Sequence, residues 1–159
     1  MSEHIENLEF IDTILHYYSC TIIYLRTIYK IILVDTLHEN SKTLTIILTE
    51  GPYRSQYVEM AHNLAESALN KGYGVNLFLY MDATHIPKKN QNPHSFPNVG
   101  ERLRHLIKDG AVVRACVRCA TARGHACDKT SYLSGVSITS VYDIPGWVRE
   151  SDKVITLSG

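Results

Sequence analysis

The residue types best suited to covalent chemistry gather in one stretch of this sequence: Cys116, Cys119, His125 and Cys127. Cys116 directly follows the apolar run at 111–115 and opens Val117-Arg118-Cys119-Ala120-Thr121-Ala122-Arg123-Gly124, which reads as a short helix. A thiol at such a strand-to-helix junction meets unpaired backbone N–H groups and the positive end of the helix dipole. Both favour the thiolate, which is the nucleophilic form, and Arg118 or Arg123 adds to the effect. The competing reading is packing, since a free cysteine is often a small buried hydrophobe. Cys119 lies one turn further on and completes Cys-x-x-Cys. It is open to three chemical roles: a resolving thiol that closes a disulfide with Cys116, an acceptor of sulfur from that neighbour, or a zinc ligand with Cys116, His125 and Cys127. The zinc spacing is poor, because His125-x-Cys127 is tighter than the usual knuckle and only one Cys-x-x-Cys is present. No metal and no cofactor is expected.

The remaining signals are weaker. Gly51-Pro52-Tyr53 follows an apolar run and puts a glycine turn beside the expected site, but it lacks the Gly-rich run and the Lys-Ser/Thr of a phosphate loop. Gly72-x-Gly74 has no third glycine and ends a helix instead of opening one, so it is not a dinucleotide fingerprint. His85 and His94 lie in a long polar stretch from which either could approach the thiol as acid or base. His4, His16, His38, His62 and His105 read as ordinary surface or helix residues. Neither a Ser-His-Asp elbow nor a His-Glu-x-x-His motif appears.

These residues need a scaffold, and the punctuation supplies one from residue 43 onward. Short apolar runs at 44–48, 75–81, 111–115, 136–139 and 154–157 read as strands. Between the first two, Tyr57, Ala61, Leu64, Ala65 and Ala68 mark one helical face that ends at Gly72. Residues 87–97 form a Pro-rich loop of a length usually reserved for function. Asn98 with Glu101 resembles a capping box for a helix whose face is Val99, Leu103, Leu106 and Ile107, closed by Gly110. Ser140 or Asp143 caps a last helix with Ile144, Trp147 and Val148, which Pro145 forces to begin late. Strand and helix alternate five times, which predicts a parallel sheet buried on both faces with right-handed crossovers. Ligands and chemistry then gather at the carboxyl ends of the strands, so the loops 49–55, 82–98 and 116–129 should line the working edge.

Composition bounds the rest. The 159 residues fit one domain of ordinary size, with 45% hydrophobic and 20% charged residues, which argues against wholesale disorder. Sixteen Lys plus Arg balance sixteen Asp plus Glu, so no basic excess is available for nucleic-acid phosphates. Four cysteines are too few for a disulfide scaffold, which points to thiols in a reducing, cytoplasmic setting. Glu3, Glu6 and Glu9 sit where a signal peptide needs positive charge. Residues 1–42 contain neither Gly nor Pro and read as a helical extension, with Leu8, Ile11, Leu15 and Tyr18 at helix-face spacing. Arg26 and Lys30 interrupt the apolar stretch 14–34 and argue against a membrane span.

Residues 43–159 resemble the DsrE/TusD-like proteins of bacterial and archaeal sulfur metabolism (the DsrE/DsrF/DsrH superfamily). The resemblance rests on the opening strand with Gly51-Pro52-Tyr53 and on Lys71-Gly72-Tyr73 before Val75-Asn76-Leu77-Phe78-Leu79. It rests further on Cys116, seven residues, then Gly124 with Arg123 before it, and on the ending Val136-x-Ile138, Trp147-Val148 and Asp152-x-Val154. It implies a three-layer α/β/α fold with a five-stranded, mainly parallel sheet. It also implies assembly as trimers or hexamers, or with sister subunits, and a persulfide carried on Cys116. The sulfur would come from a donor protein and pass to an acceptor thiol, with Asp82 to Asn98 as docking surface or lid. Cys119 is not required for that relay, and residues 1–42 fall outside the family pattern. Two other functions compete: a Cys116–Cys119 dithiol oxidoreductase, and a non-catalytic binding or assembly subunit in which the thiols are incidental.

Overall fold

The computed structural model describes residues 42–125 and 131–159. The expected N-terminal extension up to Ser41 lies outside the described residues, as do Cys20 and Cys127. The described chain runs β1 (Thr43–Leu48), α1 (Tyr57–Asn70), β2 (Gly74–Leu79), a 3-10 turn (Met81–His85), α2 (Val99–Lys108), β3 (Val112–Cys116) and α3 (Val117–Ala122). It continues through β4 (Val136–Thr139), a 3-10 turn (Val141–Asp143), α4 (Ile144–Glu150) and β5 (Lys153–Leu157). The strands form one sheet in the order β4-β3-β2-β1-β5, and every pairing is parallel.

Alternation along the central strands explains the layers. Ile46 and Leu48 of β1, Leu77 and Leu79 of β2, and Val113 and Ala115 of β3 point to one side. There they meet Ala61 and Ala65 of α1 and Leu103 and Leu106 of α2. Ile47, Phe78 and Cys116 point to the other side and meet Trp147 and Ile144 of α4. Side chains such as Ile46 and Phe78 are fully buried, each worth about 1.5–3 kcal/mol relative to exposure. Helices therefore cover both faces, giving the expected three layers, although α4 is only 7 residues long.

Local signals act largely as the sequence suggests. The Asn98 side chain accepts a hydrogen bond from the Glu101 N–H at 3.1 Å and starts α2. Gly72 and Gly110 take φ of 75° and 106° and end their helices. Ser140 caps the 3-10 turn, accepting from the Tyr142 N–H, and α4 follows with Pro145 in its first turn. Three expectations need correction. The second strand stops at Leu79, not Met81, because Met81 takes a left-handed φ of 49° and turns the chain into the 3-10 helix. Leu64 is 37% exposed, whereas Val58 and His62 are buried on the inner side of α1. His62 is thus no surface residue. Apolar periodicity assigned Leu64 inward, but the small inner face of Ala61, Ala65 and Ala68 lets α1 approach the sheet and leaves Leu64 at its rim.

Candidate active site

Because all five strands run the same way, their carboxyl ends share one pole. Cys116 is the last residue of β3, in register with Thr139 of β4, and also the N-cap residue of α3, with φ −64° and ψ 120°. The extended backbone turns its side chain toward Phe78 and Trp147, where it is only 1% exposed. The packing reading of this thiol is therefore also realised: Cys116 is at once a buried core residue and a strand-end residue. Cys119, in the first turn of α3, is half-buried. It packs against the cluster that holds Cys116, and Met81 and Arg123 lie close enough to act on its thiol.

Burial pushes the Cys119 thiol up, and the neighbouring Cys116 thiol pushes it further. Together they outweigh the Met81 backbone and the Arg123 guanidinium, which pull it down. A raised thiol is mostly protonated at neutral pH, so its reaction with alkylating reagents must climb with pH beyond the range of a free cysteine, about 8.5. Iodoacetamide labelling of Cys119, followed by peptide mass spectrometry, is expected to keep rising above about pH 9. A plateau at or below the free-cysteine range would contradict this environment.

Asp82 joins the loops of the pole. Its Oδ1 accepts from Arg123 Nε at 2.7 Å, and the Arg123 guanidinium also donates to the Cys119 carbonyl at 3.3 Å. The hydrogen bond from Arg123 is the main reason the Asp82 carboxyl is held below its ordinary value. Arg54 approaches the same carboxylate at 3.5 Å. Gly51 permits this arrangement, because a Cβ there would stand 3.3 Å from both Cβ and the carbonyl oxygen of Asp82. Gly124, with φ 72°, ends α3 just after Arg123. Pro52 is half-buried, while Tyr53 is exposed, has φ 65° and stacks on Phe96 with centroids 5.6 Å apart. Arg118 is exposed on α3.

The two loop histidines separate. His94 is exposed. His85 is hydrogen-bonded to His125, with Nδ1 and Nε2 2.9 Å apart and the rings edge to face. Burial is the main cause that lowers His125, with His85, Lys88 and Arg123 adding to it. Of the two facing nitrogens one donates and the other accepts, as the ring tautomers set. Tyr132 flanks His125 at 5.5 Å and donates its hydroxyl to the Thr84 carbonyl at 2.7 Å. This pairing ties the 3-10 turn to the segment after α3. Among the described residues no three His, Cys, Asp or Glu side chains converge to hold a metal ion, and Cys127 lies outside them.

Sequence reasoning passed over Asp82, Met81, Phe78 and Trp147 as parts of the site. Asp82 carried a usable signal: an acid placed at a strand end faces an Arg-Gly pair ending another strand's helix. Nothing in the sequence announced the turn at Met81, which depends on one backbone angle.

The model of the DsrE/DsrF-like family matches residues 42–157. The chain belongs to that family. It is 37% identical over 117 residues to an uncharacterized protein of Methanopyrus kandleri, covering 74% of this chain and 95% of the relative. It is 38% identical over 112 residues to an uncharacterized protein of Methanocaldococcus jannaschii, covering 70% and 96%. The crystal structure of YchN from Escherichia coli superposes with a TM-score of 0.64 at 26% identity, covering 73% of this chain and 99% of that one. The five-stranded parallel α/β fold is thus that of a DsrE-like neighbour, and the membership places the chain in a sulfur-relay family context. No helix among the described residues is long and apolar enough to cross a membrane.

Proposed function

We propose that this protein is a sulfur carrier of the sulfurtransferase type, which takes up sulfane sulfur as a persulfide on Cys116 and yields it to a partner thiol. The observation that carries this reading is the place of Cys116, the last residue of β3 and the N-cap of α3, at the strand-end pole of a DsrE-like sheet. The Cys116 thiolate attacks the outer sulfur of a donor persulfide; the donor leaves as its thiolate, and Cys116–S–SH remains. Delivery is the same exchange with an acceptor thiolate attacking the outer sulfur. An S–S bond carries that sulfur about 2 Å beyond Sγ. Phe78 and Trp147 wall off the inner sulfur. Donor and acceptor are proteins or small persulfides of a reducing, cytoplasmic setting. The carrier works as a homo-oligomer, a trimer or hexamer, or with sister subunits. Residues 43–159 do this work, with residues 1–42 as an extension.

A second reading is favoured by the packing of Cys119 against the cluster that holds Cys116: a dithiol oxidoreductase cycling between two thiols and a disulfide. Intact-protein mass spectrometry after polysulfide treatment separates the two. A gain of about 32 Da, one sulfur, that is lost in Cys116→Ser and kept in Cys119→Ser supports the carrier. A loss of about 2 Da that needs both cysteines supports the dithiol enzyme. Equal loading of Cys116→Ser and wild type defeats the carrier reading, and no cysteine-dependent change at all leaves a binding or assembly subunit.

A further inference from the structure

A groove of about 290 Å³ lies between the first halves of α1 and α2, apart from the thiols. Tyr53 and Phe96 line it with their stacked rings, and Arg54, Arg102 and His62 line it as well. Two helix N-termini converge on it. The first turn of α1 contributes Val58 and Glu59, and α2 contributes its first residue, Val99. The α1 N-cap, Gln56, makes no side-chain cap bond, while the Tyr57 N–H reaches Ser55 Oγ at 3.3 Å. Val58 and Glu59, like all first-turn residues, have no carbonyl four residues back inside the helix for their N–H groups. Two guanidiniums and two positive helix ends around one concavity form a field suited to an anion.

His62 is the independent observation. It is 3% exposed, yet its Nδ1 has no hydrogen-bond partner. Burial and the neighbouring Arg102 lower it to about 4, so the ring is neutral at physiological pH. A neutral imidazole carries one N–H, and on the unpartnered Nδ1 that proton is a buried donor without an acceptor at the groove wall. Buried polar groups are normally satisfied, so the ring calls for a ligand. Both arginines keep free donors. Arg102 donates to Asn63 Oδ1 at 2.6 Å and meets Glu59 at 3.5 Å, while Arg54 meets Glu50 and Asp82 at 3.5 Å each. Five N–H donors per guanidinium exceed those uses. Glu59 is the acid in the lining, and its side chain is 62% exposed. Tyr53 holds a left-handed φ of 65° that a tyrosine rarely adopts, and this conformation is part of the stack on Phe96.

We propose that this groove binds the oxyanion end of a small ligand, a sulfonate, carboxylate or phosphoryl group, with an apolar or flat remainder against Tyr53 and Phe96. The oxygens lie against Arg102, Arg54 and the first turn of α1, and His62 supplies a neutral hydrogen bond. The site stands whether or not Cys116 carries sulfur.

The test is calorimetric titration of the full chain at constant ionic strength, with benzenesulfonate and inorganic phosphate as probes and histidine ring resonances followed by NMR. Both probes are expected to bind saturably and to shift the His62 ring, and Arg102→Gln is expected to weaken both by about tenfold or more. Phe96→Ala, in an exposed loop, is expected to weaken benzenesulfonate but not phosphate. Arg149→Gln on the exposed side of α4 serves as the unaffected control. No saturable binding of either probe up to about 10 mM overturns the proposal. So does benzenesulfonate binding that survives both Arg102→Gln and Phe96→Ala.

Discussion

Replacing Trp147 by alanine is expected to destabilise the protein by about 3–5 kcal/mol, the range for removing a buried Trp or Phe side chain. It is also expected to open Cys116 to alkylation in the folded state. The indole is 6% exposed and meets Phe78 edge-on, with centroids 6.2 Å apart and an interplanar angle of 88°. The Arg114 guanidinium lies 4.3 Å from the ring centroid and is also paired with Asp143 at 3.3 Å. Trp147 is the large side chain that α4 sends into the cluster holding Cys116, so its loss removes one wall of the thiol's pocket. Val148→Ala, at a 44% exposed position on the same helix, provides the control and should cost well under 1 kcal/mol. Urea denaturation gives the stability, and iodoacetamide labelling below the midpoint gives the accessibility. A Trp147→Ala protein whose Cys116 labels no faster than wild type would show that the indole does not shield it.

The second large effect is on acid stability. His62 titrates near 4 in the folded chain against 6.5 when unperturbed, because burial and Arg102 disfavour its charged form. The unfolded chain therefore takes up this proton first. Stability is full above about pH 6.5, declines as pH falls toward 4, and levels off below that, for a loss of about 3 kcal/mol in all. Asp82 acts in a separate window. Its folded carboxyl is depressed, chiefly by the hydrogen bond from Arg123, so its contribution is present above the ordinary carboxylate range and disappears only as pH falls below it. Urea midpoints at pH 7, 5.5 and 4 should fall steeply for wild type and much less for His62→Gln. Equal slopes for the two proteins would place the acid sensitivity elsewhere. If the groove beside His62 binds oxyanions, phosphate buffer should also raise the wild-type midpoint at neutral pH.

The parts of this molecule that depend on local chain chemistry were legible in the sequence. The strand at Val136–Thr139 has the expected bounds, Asn98 caps α2, and Gly72 and Gly110 end their helices, because each depends on a few neighbouring residues. Family resemblance gave the right sheet. What was not legible depends on residues far apart in the chain meeting in space. His85 and His125 are 40 positions apart, and only the folded pole shows that they occupy each other. Cys116 was readable both as a strand-end thiol and as a packed one, but not the residues that bury it, Phe78 on a neighbouring strand and Trp147 on α4. His62 lies in a helix, as read, but its burial was not legible, because an amphipathic pattern treats histidine as polar, whereas a neutral imidazole can be buried at a cost in acid. Met81 was misread because strand propensity continues through it, and only the left-handed turn ends the strand.

The strand order also bears on how the chain folds. From β1 through β4 each strand lies beside its predecessor, so that ladder can grow in the order in which the strands leave the ribosome. β5 instead returns to the far side of β1, and the bond from the Thr43 N–H to Asp152 Oδ2 spans 109 positions. Contacts this distant carry the largest loop-closure entropy and raise the contact order, which makes them late and slow to form. Until that return, the backbone of β1 presents one bare parallel edge, the kind of surface on which nascent chains pair with the wrong partner. The strand that opens the domain is therefore the last to be enclosed on both sides, and β5 completes the sheet and shields that edge from aggregation.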